Sequence, residues 1–170
     1  YFSHLSTRRF LSFLDQYKPD IIHIHNLHGC YINLPMLLKY AAKRKIAVVA
    51  TLHDCWFYTG GCSHYTSVEC EKWLMECGKC PRRYQETAAY LWDNSSQILA
   101  DRKKLFGSIV NLIGVGVSNW ITEEAHKTVF KKARCLTIYN GIDTEYFHPV
   151  ESDFRKKHNL EGKKKILAPA

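Results

Sequence analysis

The sequence predicts an α/β fold built on a parallel β-sheet with helices on both faces. Four short segments are almost uniformly apolar, as strands of a doubly covered sheet are: residues 20–25, 46–52, 112–118 and 135–139. Segments with apolar residues at helical spacing separate them, and such alternation is typical of parallel sheets. The hydrophobic content of 46% excludes a disordered chain.

The predicted helices carry their own start and stop signals. Pro19 ends the first helix, because proline cannot continue one. Asn33 is expected to cap the second helix, with Pro35 in its first turn. Residues 84–106 are expected to be helical, and Ser118 is expected to cap a later helix.

The two ends of the sequence suggest a piece of a longer protein. It begins at Tyr1, and residues 166–170 look like the start of a fifth strand, so we expect the fold to be incomplete at both ends. The expected organisation is an N-terminal domain over residues 1–148, with a cysteine-rich loop at 53–81. A linker and the start of a second domain are expected at 149–170.

The chain is basic, with 24 Lys and Arg against 16 Asp and Glu and a formal net charge of +8. This charge suits nucleic acid, an anionic membrane surface or a phosphorylated small molecule, and charge alone does not choose among them. No recognition-helix or RNP-like pattern appears, so we expect no nucleic-acid partner.

Polar residues follow every predicted strand. They are His25-Asn26, His53-Asp54, Ser118-Asn119 and Asn140-Gly141. In open parallel sheets, ligands bind beyond the carboxyl ends of the strands, so the four pairs together favour a binding site. Taken singly, each has a structural alternative, because such residues also cap helices and turn corners, as expected of Ser118.

The histidines differ in what their positions indicate. His23 lies inside a predicted strand and is expected to be a hydrogen-bonded core residue. His25 and His28 stand where the chain leaves the sheet and are better functional candidates. His53 with Asp54 is the strongest functional candidate among these pairs, because a neighbouring carboxylate orients an imidazole or raises its pKa.

Five of the seven cysteines lie between positions 55 and 80. Four of them can hold a structural zinc ion and staple a loop of roughly thirty residues: Cys62, Cys70, Cys77 and Cys80. The alternatives are that these cysteines are free thiols or form disulfides. His64 could replace one thiol as a zinc ligand, and Cys55 would then be a cysteine outside the zinc site. A Cys/His nucleophile at Cys55 or Cys30 lacks a characteristic motif.

Several motifs together carry a family resemblance. They are His25-Asn26-Leu27-His28-Gly29, His53-Asp54-Cys55-Trp56-Phe57-Tyr58-Thr59-Gly60-Gly61-Cys62, the segments 70–73 and 77–81, Asn140-Gly141-Ile142-Asp143, and Phe147-His148-Pro149. The sequence resembles the acceptor-side, N-terminal half of bacterial family-4 retaining glycosyltransferases of the GT-B type. Its cysteine-containing loop resembles that of a subgroup that makes cell-surface polysaccharides.

The resemblance implies two Rossmann-like domains facing a cleft, the first binding the acceptor and the second mainly the nucleotide-sugar. It implies that His53 reaches toward the donor sugar as the catalytic contact. The implied substrate-binding residues are His25, Asn26, His28, Asp54 and Ser118, with Asn140 and Gly141 at the crossover to the second domain.

The function that follows is hexosyl transfer, with retention, from a nucleotide-diphosphate sugar to a glycan or lipid-linked acceptor. The setting would be polysaccharide, lipopolysaccharide or capsule synthesis. This piece alone is expected to be inactive. The lack of a convincing carboxylate pair argues against glycosidase chemistry. Two alternatives of other classes are a zinc-stapled nucleic-acid-binding module and a non-catalytic sugar-binding domain.

A cytoplasmic enzyme that uses lipid-linked acceptors would work at a membrane. We therefore expect peripheral association with the anionic inner face of the plasma membrane. The residues expected to take part are Lys39, Lys43, Arg44, Lys45, Arg102, Lys103 and Lys104. The alternative is an ordinary solvated face.

Overall fold

A computed structural model describes residues 3–29, 31–86 and 91–162 of the chain. Contacts divide it into two units, residues 1–139 and 140–170. The α-helices and strands of the first unit are α1 (His4–Tyr17), β1 (Ile21–Ile24), α2 (Leu34–Arg44), β2 (Ala47–Leu52), α3 (Lys72–Met75), α4 (Ser95–Phe106), β3 (Leu112–Gly116), α5 (Asn119–His126) and β4 (Arg134–Thr137). Short 3-10 helices lie at Trp56–Tyr58, Tyr65–Val68 and Val129–Lys132. The second unit contains the short helix α6 (Phe154–Lys157).

The four strands form one sheet in the order β1-β2-β3-β4, and every neighbouring pair is parallel. Ile24 is in register with Ala50, and Leu52 with Gly116. The predicted α/β fold with a parallel sheet is therefore confirmed. The expected fifth strand at 166–170 lies outside the described residues.

Most of the core lies on one side of the sheet, where helices pack. In β1, Ile22 and Ile24 are buried, whereas Ile21 and His23 on the opposite face are exposed. Helix α2 contacts α1 and α4 on the buried side. At β1, the described part of the chain thus covers one face of the sheet.

The predicted caps have the expected geometry. The Asn33 side chain accepts a hydrogen bond from the amide of Met36 at 3.0 Å, and Ser118 Oγ accepts one from the amide of Ile121 at 3.3 Å. Both bonds satisfy amides that a helix leaves unpaired at its start. Helix α1 ends at Tyr17, just before Lys18 and Pro19, as predicted.

The helix predicted over residues 84–106 is correct only from Ser95 onward. Just before it, the carboxylate of Asp93 accepts hydrogen bonds from the amides of Ser95 at 2.9 Å and of Cys80 at 2.6 Å. An aspartate that binds backbone amides in this way competes with helix formation. Residues 84–86 and 91–94 therefore belong to the preceding loop.

One residue expected at a membrane surface is instead buried. Arg102 is 5% exposed, and its guanidinium lies 3.8 Å from the ring centre of Trp56. It donates hydrogen bonds to the carbonyls of Trp56 and Thr59, the latter at 2.7 Å. Arg102 thus anchors the loop after β2 to α4. None of the described helices is both long and apolar enough to cross a membrane.

Gly116 allows α5 to pack directly on the end of β3. A Cβ atom at this position would lie 2.9 Å from the backbone nitrogen of Thr122 and would also collide with the Thr122 hydroxyl. That hydroxyl is held in place, because it donates to the carbonyl of Ser118 at 3.0 Å and lies 2.9 Å from Thr137 Oγ1. The close approach therefore requires glycine.

We expect Gly116→Ala to reduce the free energy of unfolding by about 1–3 kcal/mol, because the helix must move away from the strand. Gly141→Ala is the control, since a Cβ there meets no atom within 4 Å. Thermal denaturation of the two variants measures the difference. Equal melting temperatures would contradict the packing argument.

Candidate functional site

Two histidines meet where β1 and β2 end. His25 Nδ1 lies 3.1 Å from His53 Nε2, within hydrogen-bond distance. The two residues follow adjacent parallel strands, whose carboxyl ends reach the same edge of the sheet. In a hydrogen bond between two neutral imidazoles, one ring nitrogen donates its proton and the other ring nitrogen accepts it. The tautomer of one histidine therefore determines the tautomer of the other.

His23 supports this pair from within β1. Its Nε2 lies 2.8 Å from the hydroxyl of Thr51, and its ring centre is 4.2 Å from that of His25. His23 was expected to be a core residue, and that expectation is wrong, because its side chain lies on the exposed face of the sheet. The expected hydrogen bond is present.

A second pair lies beside the first. His28 Nε2 is 3.2 Å from Asp54 Oδ2, and the other carboxylate oxygen accepts a hydrogen bond from the amide of Trp56 at 2.8 Å. The His28 ring also stacks on Trp56, with ring centres 4.9 Å apart and an interplanar angle of 23°. The carboxylate and the indole together orient the imidazole.

Trp56 was not among the predicted site residues. It stands two positions after Asp54, within the motif that carries the resemblance. The sequence around Trp56 does not indicate that its ring stacks on a histidine of the β1–α2 loop. That contact depends on the pairing of β1 with β2.

The remaining predicted site residues lie in different settings. Asn26 is exposed, and its backbone carbonyl accepts a hydrogen bond from the Tyr31 hydroxyl at 2.7 Å. Ser118 acts as the cap of α5 at the end of β3. Asn140 and Gly141 are exposed and belong to the second unit. The structure thus brings His25 together with His53, and His28 together with Asp54.

The pKa of His25 is lowered from its ordinary value of 6.5. Burial is the main cause, followed by repulsion from His23 and His53. Because the folded protein resists protonation here, the unfolded chain binds more protons just below pH 6.5. The contribution of His25 to the free energy of unfolding is therefore fully present above pH 6.5. It is lost as the pH falls through the range just below 6.5.

We expect the His25 ring to titrate below pH 6.5 in a pH series of NMR spectra of the histidine rings. His23→Gln should raise the pKa of His25, because it removes a repulsive neighbour without touching the contact with His53. A His25 pKa at or above 6.5 in the wild-type chain would contradict this assignment.

The cysteine-rich loop has an aromatic core of its own. Phe57, Tyr58 and Trp73 are almost fully buried, and Tyr65 packs on Trp73 with ring centres 4.8 Å apart. The Tyr65 hydroxyl donates to the Glu124 carboxylate at 2.7 Å, which joins the loop to α5. Aromatic packing and this hydrogen bond to α5 therefore hold the loop in place.

Two cysteines of the loop, Cys55 and Cys62, are not activated as nucleophiles. The six described cysteines are free thiols, and Cys30 lies outside the described residues. Burial raises the pKa of Cys55 to about 11 and that of Cys62 to about 12. A thiol with such a pKa is protonated at neutral pH and is a weak nucleophile.

The four cysteines predicted to bind zinc line a single pocket, together with Trp73 and the Thr59-Gly60 segment. As the side chains stand, residues 3–29, 31–86 and 91–162 include no group of three or more His, Cys, Asp or Glu that could hold a metal ion.

Comparison with known proteins gives two matches. The sequence profile of Glycosyltransferase Family 4 matches residues 1–146. The "Putative colanic acid biosynthesis glycosyl transferase WcaC" of Escherichia coli (strain K12) is 29% identical over 158 residues. The match covers 89% of this chain and 38% of that relative, so the chain spans well under half of the relative's length. No solved structure matches the chain.

Proposed function

Because the chain belongs to Glycosyltransferase Family 4, we propose that it forms the acceptor-side wall of a glycosyltransferase active site. The whole enzyme transfers a hexose, with retention, from a nucleotide-diphosphate sugar to a glycan or lipid-linked acceptor. The observation that supports this most directly is the His25–His53 pair at the carboxyl edge of the sheet. The relative's role in colanic acid biosynthesis favours polysaccharide synthesis as the setting.

Glycosyl transfer places specific demands on the protein. Positive charge develops at the anomeric carbon, and negative charge develops on the departing nucleotide diphosphate. Cations or helix N-termini must face the phosphates, whereas the sugar needs neutral polar contacts. We assign the phosphate contacts to a second domain and the sugar contact to this chain.

His53 suits the sugar contact because of how it is held. Its Nε2 is engaged by His25, which leaves Nδ1 as the ring atom for a sugar hydroxyl. The lowered pKa of His25 keeps that neighbour uncharged near neutral pH, so His53 does not face a cation there. A ring so positioned can exchange one hydrogen bond with the donor sugar as charge develops.

His28, Asp54 and Asn26 suit the acceptor side. The His28–Asp54 pair presents a positioned imidazole beside an exposed loop, and Trp56 adds an aromatic face. Hydroxyl-rich acceptors are bound by such polar groups next to aromatic rings. We therefore assign the His25–His53 pair to the donor sugar and the His28–Asp54 pair to the acceptor.

In the whole protein, we expect His53→Ala to lower the rate of sugar transfer roughly a hundredfold, as loss of one preorganised transition-state contact does elsewhere. Release of nucleoside diphosphate from a panel of nucleotide-sugars, with acceptor extract present, measures the rate. His126→Ala is the control, because His126 is exposed at the end of α5. A His53→Ala enzyme with wild-type activity and an intact fold would refute the role of His53.

We place the working enzyme on the cytoplasmic face of an anionic membrane. Helix α2 leads into β2, so its basic end lies at the edge where the strands begin, opposite His25 and His53. Lys39, Lys43 and Lys45 are exposed there, whereas Arg44 pairs with Asp15. Of the α4 lysines, Lys103 donates to the carbonyl of Met75 at 2.7 Å.

We expect Lys39→Glu/Lys43→Glu to weaken binding to phosphatidylglycerol vesicles by roughly tenfold or more, since each lysine near such a surface contributes about 1 kcal/mol. Arg8→Glu/Arg9→Glu changes the net charge equally at exposed positions of α1 and serves as the control. Co-sedimentation measures binding. Equal loss in both variants, or binding that ignores the anionic lipid content, would contradict a specific docking surface.

A further inference from the structure

The strongest remaining feature of the molecule is the pocket lined mainly by the cysteine-rich loop. Three stretches of this loop contribute four thiols to it, two of them from one Cys-x-x-Cys segment, and its free volume is about 30 Å³. The four residues are Cys62, Cys70, Cys77 and Cys80. A shared metal ion would give one common role to the four thiols that a span of 19 residues brings to this small, largely apolar pocket.

Glycine makes room for this arrangement. A Cβ atom on Gly60 would lie 2.9 Å from both Cβ and Sγ of Cys77, so the glycine lets that thiol rest against the backbone. Gly78, with φ of 141°, and Lys79, with φ of 45°, turn the chain sharply between Cys77 and Cys80. That turn directs both thiols of the Cys-x-x-Cys segment into the same pocket.

We propose that Cys62, Cys70, Cys77 and Cys80 bind one structural zinc ion in this pocket. Zinc prefers four thiolates in a tetrahedral site. The thiols surround the pocket without forming a ligand set as they stand, so zinc binding requires their side chains to rotate toward a common centre. A cysteine has one side-chain torsion, and a change between its staggered positions moves the sulfur by roughly 3 Å.

Lys72 is the cation that can offset the charge of such a site. A zinc ion with four thiolates carries net negative charge, and Lys72 and Arg82 both line the pocket, but Arg82 is paired with Glu86 at 2.7 Å. Lys72 is held over the turn by the carbonyls of Gly78 and Lys79, at 3.1 and 3.3 Å. The zinc ion stabilises the loop that bears Asp54 and Trp56 at its start, and its role does not depend on the proposed transferase activity.

The test measures metal on the chain itself, purified under reducing conditions without chelator and washed after incubation with zinc. Plasma mass spectrometry should find about one zinc ion per chain. Replacement by cobalt should give the intense visible and near-ultraviolet bands of tetrahedral cobalt thiolate. X-ray absorption should show four sulfur neighbours at about 2.3 Å.

Matched variants separate this site from other thiols. Cys77→Ser and Cys80→Ser should lower the zinc content at least fivefold, whereas Cys135→Ser on β4 should leave it unchanged. If the loop variants do not fold, the cobalt spectrum and the sulfur count of the wild-type chain still decide the question. Less than a tenth of a zinc ion per folded, reduced chain would overturn the proposal. A mass showing disulfides among the four cysteines in chain prepared without reductant would overturn it as well.

Discussion

The pairing of β2 with both of its neighbours is the constraint on which the rest of the structure depends. Parallel pairing with β1 and β3 sets one direction for three strands, so that their carboxyl ends reach the same edge. His25 and His53 are 28 positions apart in the chain and meet only because this ladder aligns them. The loop with His28 and the loop with Asp54 and Trp56 are brought together by the same pairing.

The direction of the strands also distributes the charge. Each connecting helix runs back against the sheet, so its C-terminal end lies at the edge opposite the histidine pairs. Lysines near a helix C-terminus are favoured by the helix dipole, as at the end of α2. The basic end of α2 therefore lies at the edge of the sheet where the strands begin, opposite the edge that carries the histidine pairs.

The loop between β2 and α4 combines three kinds of support. Its aromatic residues pack as a small core around Trp73, and Arg102 ties two of its carbonyls to α4. Asp93 closes it by accepting the amide of Cys80. These contacts surround the pocket of four thiols rather than fill it.

The sequence alone determined the fold class, the four strands and the helix caps, because these follow from local apolar patterns and from short-range hydrogen bonds such as those of Asn33 and Ser118. It also identified the residues at the strand ends. Tertiary structure decided which of them meet: His25 with His53, and His28 with Asp54 beside Trp56. It placed His23 on an exposed face, Arg102 in the interior and residues 91–94 in a loop. The reason is that burial and long-range pairing depend on which faces of separate strands and helices come together, and no local pattern records that.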